Sequence, residues 1–200
     1  ARPPPPRSRP DPPAMIARAL LAAWMRRARR RQGREGVAAI EFAMVAIPFL
    51  MMIFAILELG MVFVIDSMLE TATTQSGRLV RTGQADQQKF TAARFKSELC
   101  DRMTLFKTDC ASRATVDVRV IPQFAAPDPP EPITNGQIDP TKAIYDGGNP
   151  GDLVLVRVWY VHPLMTPLLN QATSRVGAGK VLLMSATAFR NEPWTKSAAT

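Results

Sequence analysis

The feature that most constrains this chain is an apolar run from Val37 to Ile65, VAAIEFAMVAIPFLMMIFAILELGMVFVI, in which Glu41 and Glu58 are the only charged residues. Phe42 to Leu57 carries no charge. A helix rises 1.5 Å per residue, so this run reaches about 43 Å, against roughly 30 Å of bilayer hydrocarbon. It can therefore span a membrane with tilt, or with one end projecting. A core helix of this length in a soluble protein normally carries a polar face. Here charge sits only toward the two ends. The sequence predicts a transmembrane helix over 37–65.

Charge divides the rest. The net charge is +8. Residues 1–35 hold ten arginines and two acids, and the remainder balances fifteen basic against fifteen acidic side chains. The basicity therefore belongs to a tail. Arg26, Arg27, Arg29, Arg30, Arg31 and Arg34 stand just before the apolar run. Basic residues flanking a span are held on the cytoplasmic side, where anionic headgroups also attract them. The expected organisation is a basic cytoplasmic leader over 1–36, the span over 37–65 and an exported domain over 66–200. Nucleic-acid binding by the arginines is the rival reading. No aromatic or Gly-rich RNA-binding pattern follows them, so no nucleic-acid partner is expected. Membrane lipid is.

Residues 1–14, ARPPPPRSRPDPPA, hold seven prolines and three arginines and are expected to be disordered. Met15 follows and stands as an alternative translation start. The apolar stretch Ile16–Met25 is too short to span and suits an interfacial amphipathic helix. A secretory signal is not expected, because the apolar run after the arginine cluster is too long and no clean cleavage site follows it.

Beyond the span, helix formers continue to about Arg81, and Gly83 with Gln84 reads as a stop. Phe90, Ala93, Phe95 and Leu99 predict a second helix over about 87–103. Val116, Val118 and Val120 alternate with Asp117, Arg119 and Ile121, a half-buried strand. Residues 122–151 are rich in Pro, Gly, Asp and Asn and read as a long loop. DLVLVRVWYV (152–161) and VLLMSATAF (181–189) are two further strands, with a loop and short helical turn between them. The expected fold is α+β: a long pilin-like N-terminal helix continuing into a domain with a second helix. A small antiparallel sheet of about three to four strands packs on the projecting part of the long helix.

Cys100 and Cys110 are the only cysteines. In an exported domain a disulfide between them would persist, contributing roughly 3 kcal/mol by the chain-entropy model. Two free buried thiols are the alternative. Zinc is not expected, since two cysteines and the single distant His162 do not supply four ligands.

The junction at Gly36 is the sharpest motif: an arginine run, then G-V-A-A-I-E-F, then the span. It resembles the processing site of type IV pilin-like proteins, whose leader is removed after glycine. Glu41 then becomes the fifth residue of the mature chain, followed by the aromatic Phe42. The run AAIEFAMVAIPFLMMIFAILELG resembles TadE-like proteins, minor pilins of tight-adherence (Flp) systems. So do ATTQSGRLVRTGQ (72–84), the paired cysteines and FRNEPW (189–194).

This resemblance implies a minor pilin or pseudopilin of the bacterial inner membrane, with its N-terminus cytoplasmic and its C-terminal domain periplasmic or in the extracellular pilus. Its implied partners are a prepilin peptidase cutting between Gly36 and Val37, a sibling minor pilin, the major pilin and the Tad inner-membrane platform. An uncleaved single-pass component of the Tad apparatus is the alternative. The resemblance also implies that Glu41 sets subunit register.

Physics permits that role. A carboxylate in a bilayer costs about 2.5–3.5 kcal/mol on insertion scales. Val37 and Glu41 lie at i and i+4 on one helix face, so a new α-amine on Val37, or a neighbour's, could pair with it. Snorkelling to headgroups is the other reading of Glu41. Glu58 is expected to be interfacial and solvated. Pro48 removes a helix hydrogen bond and is expected to kink the span, where breaks help pilin helices pack.

No catalytic residue, cofactor or small-molecule substrate is expected. G-x-S-x-G, H-E-x-x-H and C-x-x-C are absent from the sequence. VGAGK (176–180) fails as a phosphate loop, because Ser174 stands at the first glycine position and Val181 follows the lysine. His162, at a strand end, reads as structural.

Overall fold

The computed structural model describes residues 12–125, 129–166, 169, 176–177 and 179–196, with the backbone alone for 12–22 and 26–35. The chain divides into two compact units, Ala1–Met52 and Ile53–Thr200. Helix α1, Pro12–Arg81, contributes to both.

In the first unit only α1 is described. Helix α1 begins at Pro12, inside the stretch 1–14 read above as disordered. Proline suits a first helical turn, where its missing N–H would have no partner. Residues 1–11 lie outside the described residues. Gly33, Gly36 and Pro48 are all within α1.

The second unit is α+β. After α1 come the short α2 (Gln84–Gln87), α3 (Ala92–Arg102), a 3-10 turn at Thr104–Phe106 and α4 (Lys107–Arg113). Helix α3 starts later than the apolar spacing predicts because Thr91 caps it: its hydroxyl accepts from the Arg94 amide at 3.3 Å. Strands β1 (Ala114–Ile121), β4 (Leu153–Pro163) and β5 (Lys180–Arg190) form an antiparallel sheet in the order β1-β4-β5. Between β1 and β4, the stretch read as loop contains a two-stranded sheet, β2 (Ile133–Thr134) and β3 (Gln137–Ile138). Asn135 and Gly136 turn it with φ of 50° and 70°. Positive φ at both central residues is the two-residue turn that matches strand twist, so Asn-Gly was a legible signal for it. Beyond it, the Val118 amide bonds to Ile144 O and the Asp146 amide to Val118 O, so the returning loop covers the outer edge of β1.

Register fixes the two sheet faces. Val116, Val118 and Val120 pair with Val158, Val156 and Val154, and these pair with Ser185, Thr187 and Phe189. Val118, Val154, Val156, Val158 and Tyr160 are fully buried. They join Ile65, Leu69, Ala72 and Val80 of α1 and Phe95, Leu99 and Met103 of the α3 region in one core. Each large apolar side chain so buried contributes roughly 1.5–3 kcal/mol.

Candidate functional site

The residues singled out at the start of the span lie on the outside of α1. Gly36 is exposed, and a Cβ built there meets nothing within 4 Å. Val37 is 55% exposed and Phe42 75%. Glu41 is exposed and has no hydrogen-bond or ion-pair partner among the described residues. It lies one helical turn after Val37 on the same face. Pro48 sits inside the helix. The side chains of Arg26, Arg27, Arg29, Arg30, Arg31 and Arg34 lie outside the described residues.

Exposed apolar side chains continue along α1 to Phe63 and Val64. Such a surface is unstable in water and stable in lipid or against other apolar helices. Among the described residues, one helix is long and apolar enough to cross a membrane, over Gly36–Arg81. It fits a membrane anchor.

At Ile65 the helix changes role. Ile65, Leu69, Ala72, Thr73, Ser76 and Val80 are buried, a stripe at helical spacing. Its second half uses small residues, which allow close approach to the sheet. A Cβ on Gly77 would lie 3.0 Å from Cε1 of Phe189 and 3.1 Å from Cγ2 of Thr187. Just past the helix, Gly83 has φ of 75°, and a Cβ there would lie 2.9 Å from Cε2 of Trp194 and closer to its ring neighbours. The Glu192 amide donates to Arg81 O at 2.9 Å, and Arg81 pairs with Glu192 at 3.2 Å. The Asn191 side chain donates to Gly147 O and Asn149 O. The segments 72–84 and 189–194, more than a hundred residues apart, thus form one lock between helix end and C-terminal tail. Nothing local in either segment signals this contact.

The opposite end of the sheet holds the residue that sequence reading assigned least. Glu58 is not simply solvated: its carboxylate accepts from two consecutive backbone amides, Met165 and Thr166, the latter at 2.8 Å. They belong to the connection after β4, where Leu164 in turn donates to Gly179 O at 2.8 Å.

Cys100 of α3 and Cys110 of α4 are bonded, with Cα atoms 5.4 Å apart, and both are buried. The bond joins the two helices across the intervening 3-10 turn.

On the outer sheet face, Asp117 and Arg157 are direct cross-strand partners. Arg157 donates to Asp117 Oδ2 from Nη2 at 2.9 Å and from Nε at 3.2 Å. Arg119 donates to both carboxylate oxygens, at 2.6 and 2.8 Å, and the Ile144 amide to Oδ1 at 3.0 Å. Arg157 also reaches Pro129 O at 2.7 Å and lies 4.9 Å over the Trp159 ring. The cluster fastens both ends of the 122–151 excursion to the sheet.

Burial pushes the Asp117 carboxyl up, but the bonds from Arg119, the Ile144 amide and Arg157 outweigh it and hold the group below its ordinary 3.8. A carboxyl depressed on folding contributes stability that is present above the unfolded value and lost as pH falls through the folded one. Thermal melts of the detergent-solubilised chain should therefore drop progressively once pH is taken below 3.8. An Asp117→Asn variant should start lower and lose less over that window. Parallel acid profiles for the two proteins would exclude Asp117 as the source.

The family model described as TadE-like protein matches residues 36–78. No curated protein and no solved structure matches the chain. The matched segment begins at the glycine of the junction motif and ends in the turn that contains Gly77.

Proposed function

We propose, from the premise that residues 36–78 form a TadE-like helix, that this chain is a minor pilin of a tight-adherence pilus. It is made as a membrane-anchored precursor and processed after Gly36. The match to the TadE-like family supports involvement in the Tad pilus system. The observation that carries the finer reading is the exposed apolar helix surface that starts at Gly36 and carries Glu41 one turn inside.

The same surface serves two states. Before processing, lipid covers it, the arginine cluster stays cytoplasmic and residues 66–200 are exported to the periplasm. After processing, the helix can leave the bilayer and pack among the helices of other pilins. The new α-amine on Val37, or a neighbour's, pairs with the Glu41 carboxylate and sets axial register. A prepilin peptidase, a sibling minor pilin, the major pilin and the Tad inner-membrane platform are its partners.

N-terminal mass analysis of the protein from native membranes tests this. The expected mature chain begins at Val37. A chain intact through Gly36 would reject processing and leave an uncleaved single-pass component of the apparatus. Substitution separates processing from folding, because a side chain at Gly36 meets nothing in the folded protein. Gly36→Val should leave the melting temperature unchanged and abolish the processed form, since the peptidase loses its close approach to the backbone.

A further inference from the structure

We infer that the start of the β4–β5 connection, Leu164–Thr166, is a second contact with the membrane, seated in the bilayer interface and held at a fixed depth by Glu58. The inference rests on the reading of α1 as a membrane anchor. Within the second unit, successive contacts along α1 order the sheet against the helix. Glu58 meets Met165 and Thr166, Gly77 meets Thr187 and Phe189, and Gly83 meets Trp194. The end of the sheet at Pro163 and Lys180 is therefore the one beside Glu58.

Depth follows from the helix itself. After Glu58, Leu59, Met61, Phe63 and Val64 are still exposed apolar side chains. Six residues of helix place Glu58 about 9 Å on the membrane side of Val64. Whatever is bonded to Glu58 shares that level.

The bonding suits a poorly hydrated site. A lone carboxylate among Leu57, Leu59 and Met61 is costly, and so are two backbone amides without an acceptor. Joined to each other, all three are satisfied. The connection's side chains agree. Leu164 and Met165 lead it, and Met165 is 90% exposed. Lys180, which pairs in the sheet with Pro163 just before this stretch, is exposed and can reach anionic headgroups. The exposed Met165 side chain, near the cation of Lys180 and bonded through its backbone to the part of the helix that exposes apolar side chains, fits a bilayer interface. The domain would then rest on the membrane rather than hang from a free helix.

The test uses the full chain with its disulfide intact, in vesicles of phosphatidylethanolamine and phosphatidylglycerol. An added cysteine at Met165 is labelled with an environment-sensitive fluorophore, and spin-labelled lipids serve as quenchers. Leu57→Cys marks the span, and Leu105→Cys, at an 83% exposed position, marks the soluble surface. The Met165 label should be blue-shifted and quenched by lipid, as the Leu57 label is, with Leu105 unquenched. In a Glu58→Leu background the Met165 label should lose its quenching and the Leu57 label keep it.

A Met165 label that behaves like Leu105 while Leu57 is quenched overturns the inference. So does a blue-shifted Met165 label that lipid does not quench, which assigns the loop to a neighbouring copy. Retained quenching in Glu58→Leu overturns the role of Glu58. An unquenched Leu57 label instead overturns the anchor itself.

Discussion

Asp117→Ala is expected to destabilise the second unit by about 3–5 kcal/mol, the cost of leaving a buried charge without its partner. Asp117 is fully buried and Arg157 is 2% exposed. Removing the carboxylate leaves the Arg157 guanidinium inside, with the Pro129 carbonyl and the Trp159 ring as its main remaining neighbours. It also strands the Ile144 amide, so the returning loop loses one of its bonds at the edge of β1 and keeps the two through the Val118 backbone. Arg119 is less affected, because it is only partly buried and water can replace its bonds.

A double variant separates pairing from packing. Asp117→Leu with Arg157→Met keeps volume and removes both charges, and should be much closer to wild type than Asp117→Ala alone. Denaturant unfolding of the detergent-solubilised protein measures both. If the double variant is as damaged as the single one, the loss lies in packing, and the ion pair is not what holds the loop.

The second large effect is expected at the distal lock. Gly83→Val forces a β-branched residue into φ of 75°, a conformation that costs about 1–2 kcal/mol for an L-residue. It also drives atoms into the Trp194 ring, and overpacking of that kind costs about 1–3 kcal/mol. The two together predict a loss of about 2–5 kcal/mol. The neighbouring contacts amplify the consequence, because displacing Trp194 pulls on Glu192 and Asn191, which fasten the tail to Arg81 and to the loop before β4.

A mutant cycle isolates the ring. In a Trp194→Ala background, Gly83→Val should cost only the backbone part, so the two changes should be far from additive. Additive losses would mean that glycine is needed for its φ alone. Since the lock holds the C-terminal end of α1 to the sheet, the proposed minor-pilin role predicts that Gly83→Val also reduces pilus formation while leaving membrane insertion intact.

Much of the chain could be read without its structure. The span, the arginine cluster and the Gly36–Glu41–Phe42 spacing are local patterns, and so are the alternating valines of β1 and β4. The capped start of α3 at Thr91 and the hairpin at Asn135–Gly136 were equally local, since each is set by the side chain or backbone freedom of one or two residues. They lay unread beneath a broad helical pattern and a Pro- and Gly-rich loop.

The long-range pairings were of another kind. Glu58 gave no sign of bonding to Met165 and Thr166, nor Gly83 of facing Trp194, nor Asp117 of pairing with Arg157 rather than only with its neighbour Arg119. In each case the partner is chosen by strand register and by where α1 crosses the sheet, and no short window of sequence contains either. The apolar run from Val37 to Ile65 thus determined by itself that this chain needs a membrane or a helical partner, because burying that surface is required whatever the rest does. Tertiary structure alone decided which face of the helix serves the core from the end of that run onward, the stripe of Ile65, Leu69, Ala72, Thr73, Ser76 and Val80. That choice depends on where the sheet crosses the helix, and no property of the helix sequence fixes it.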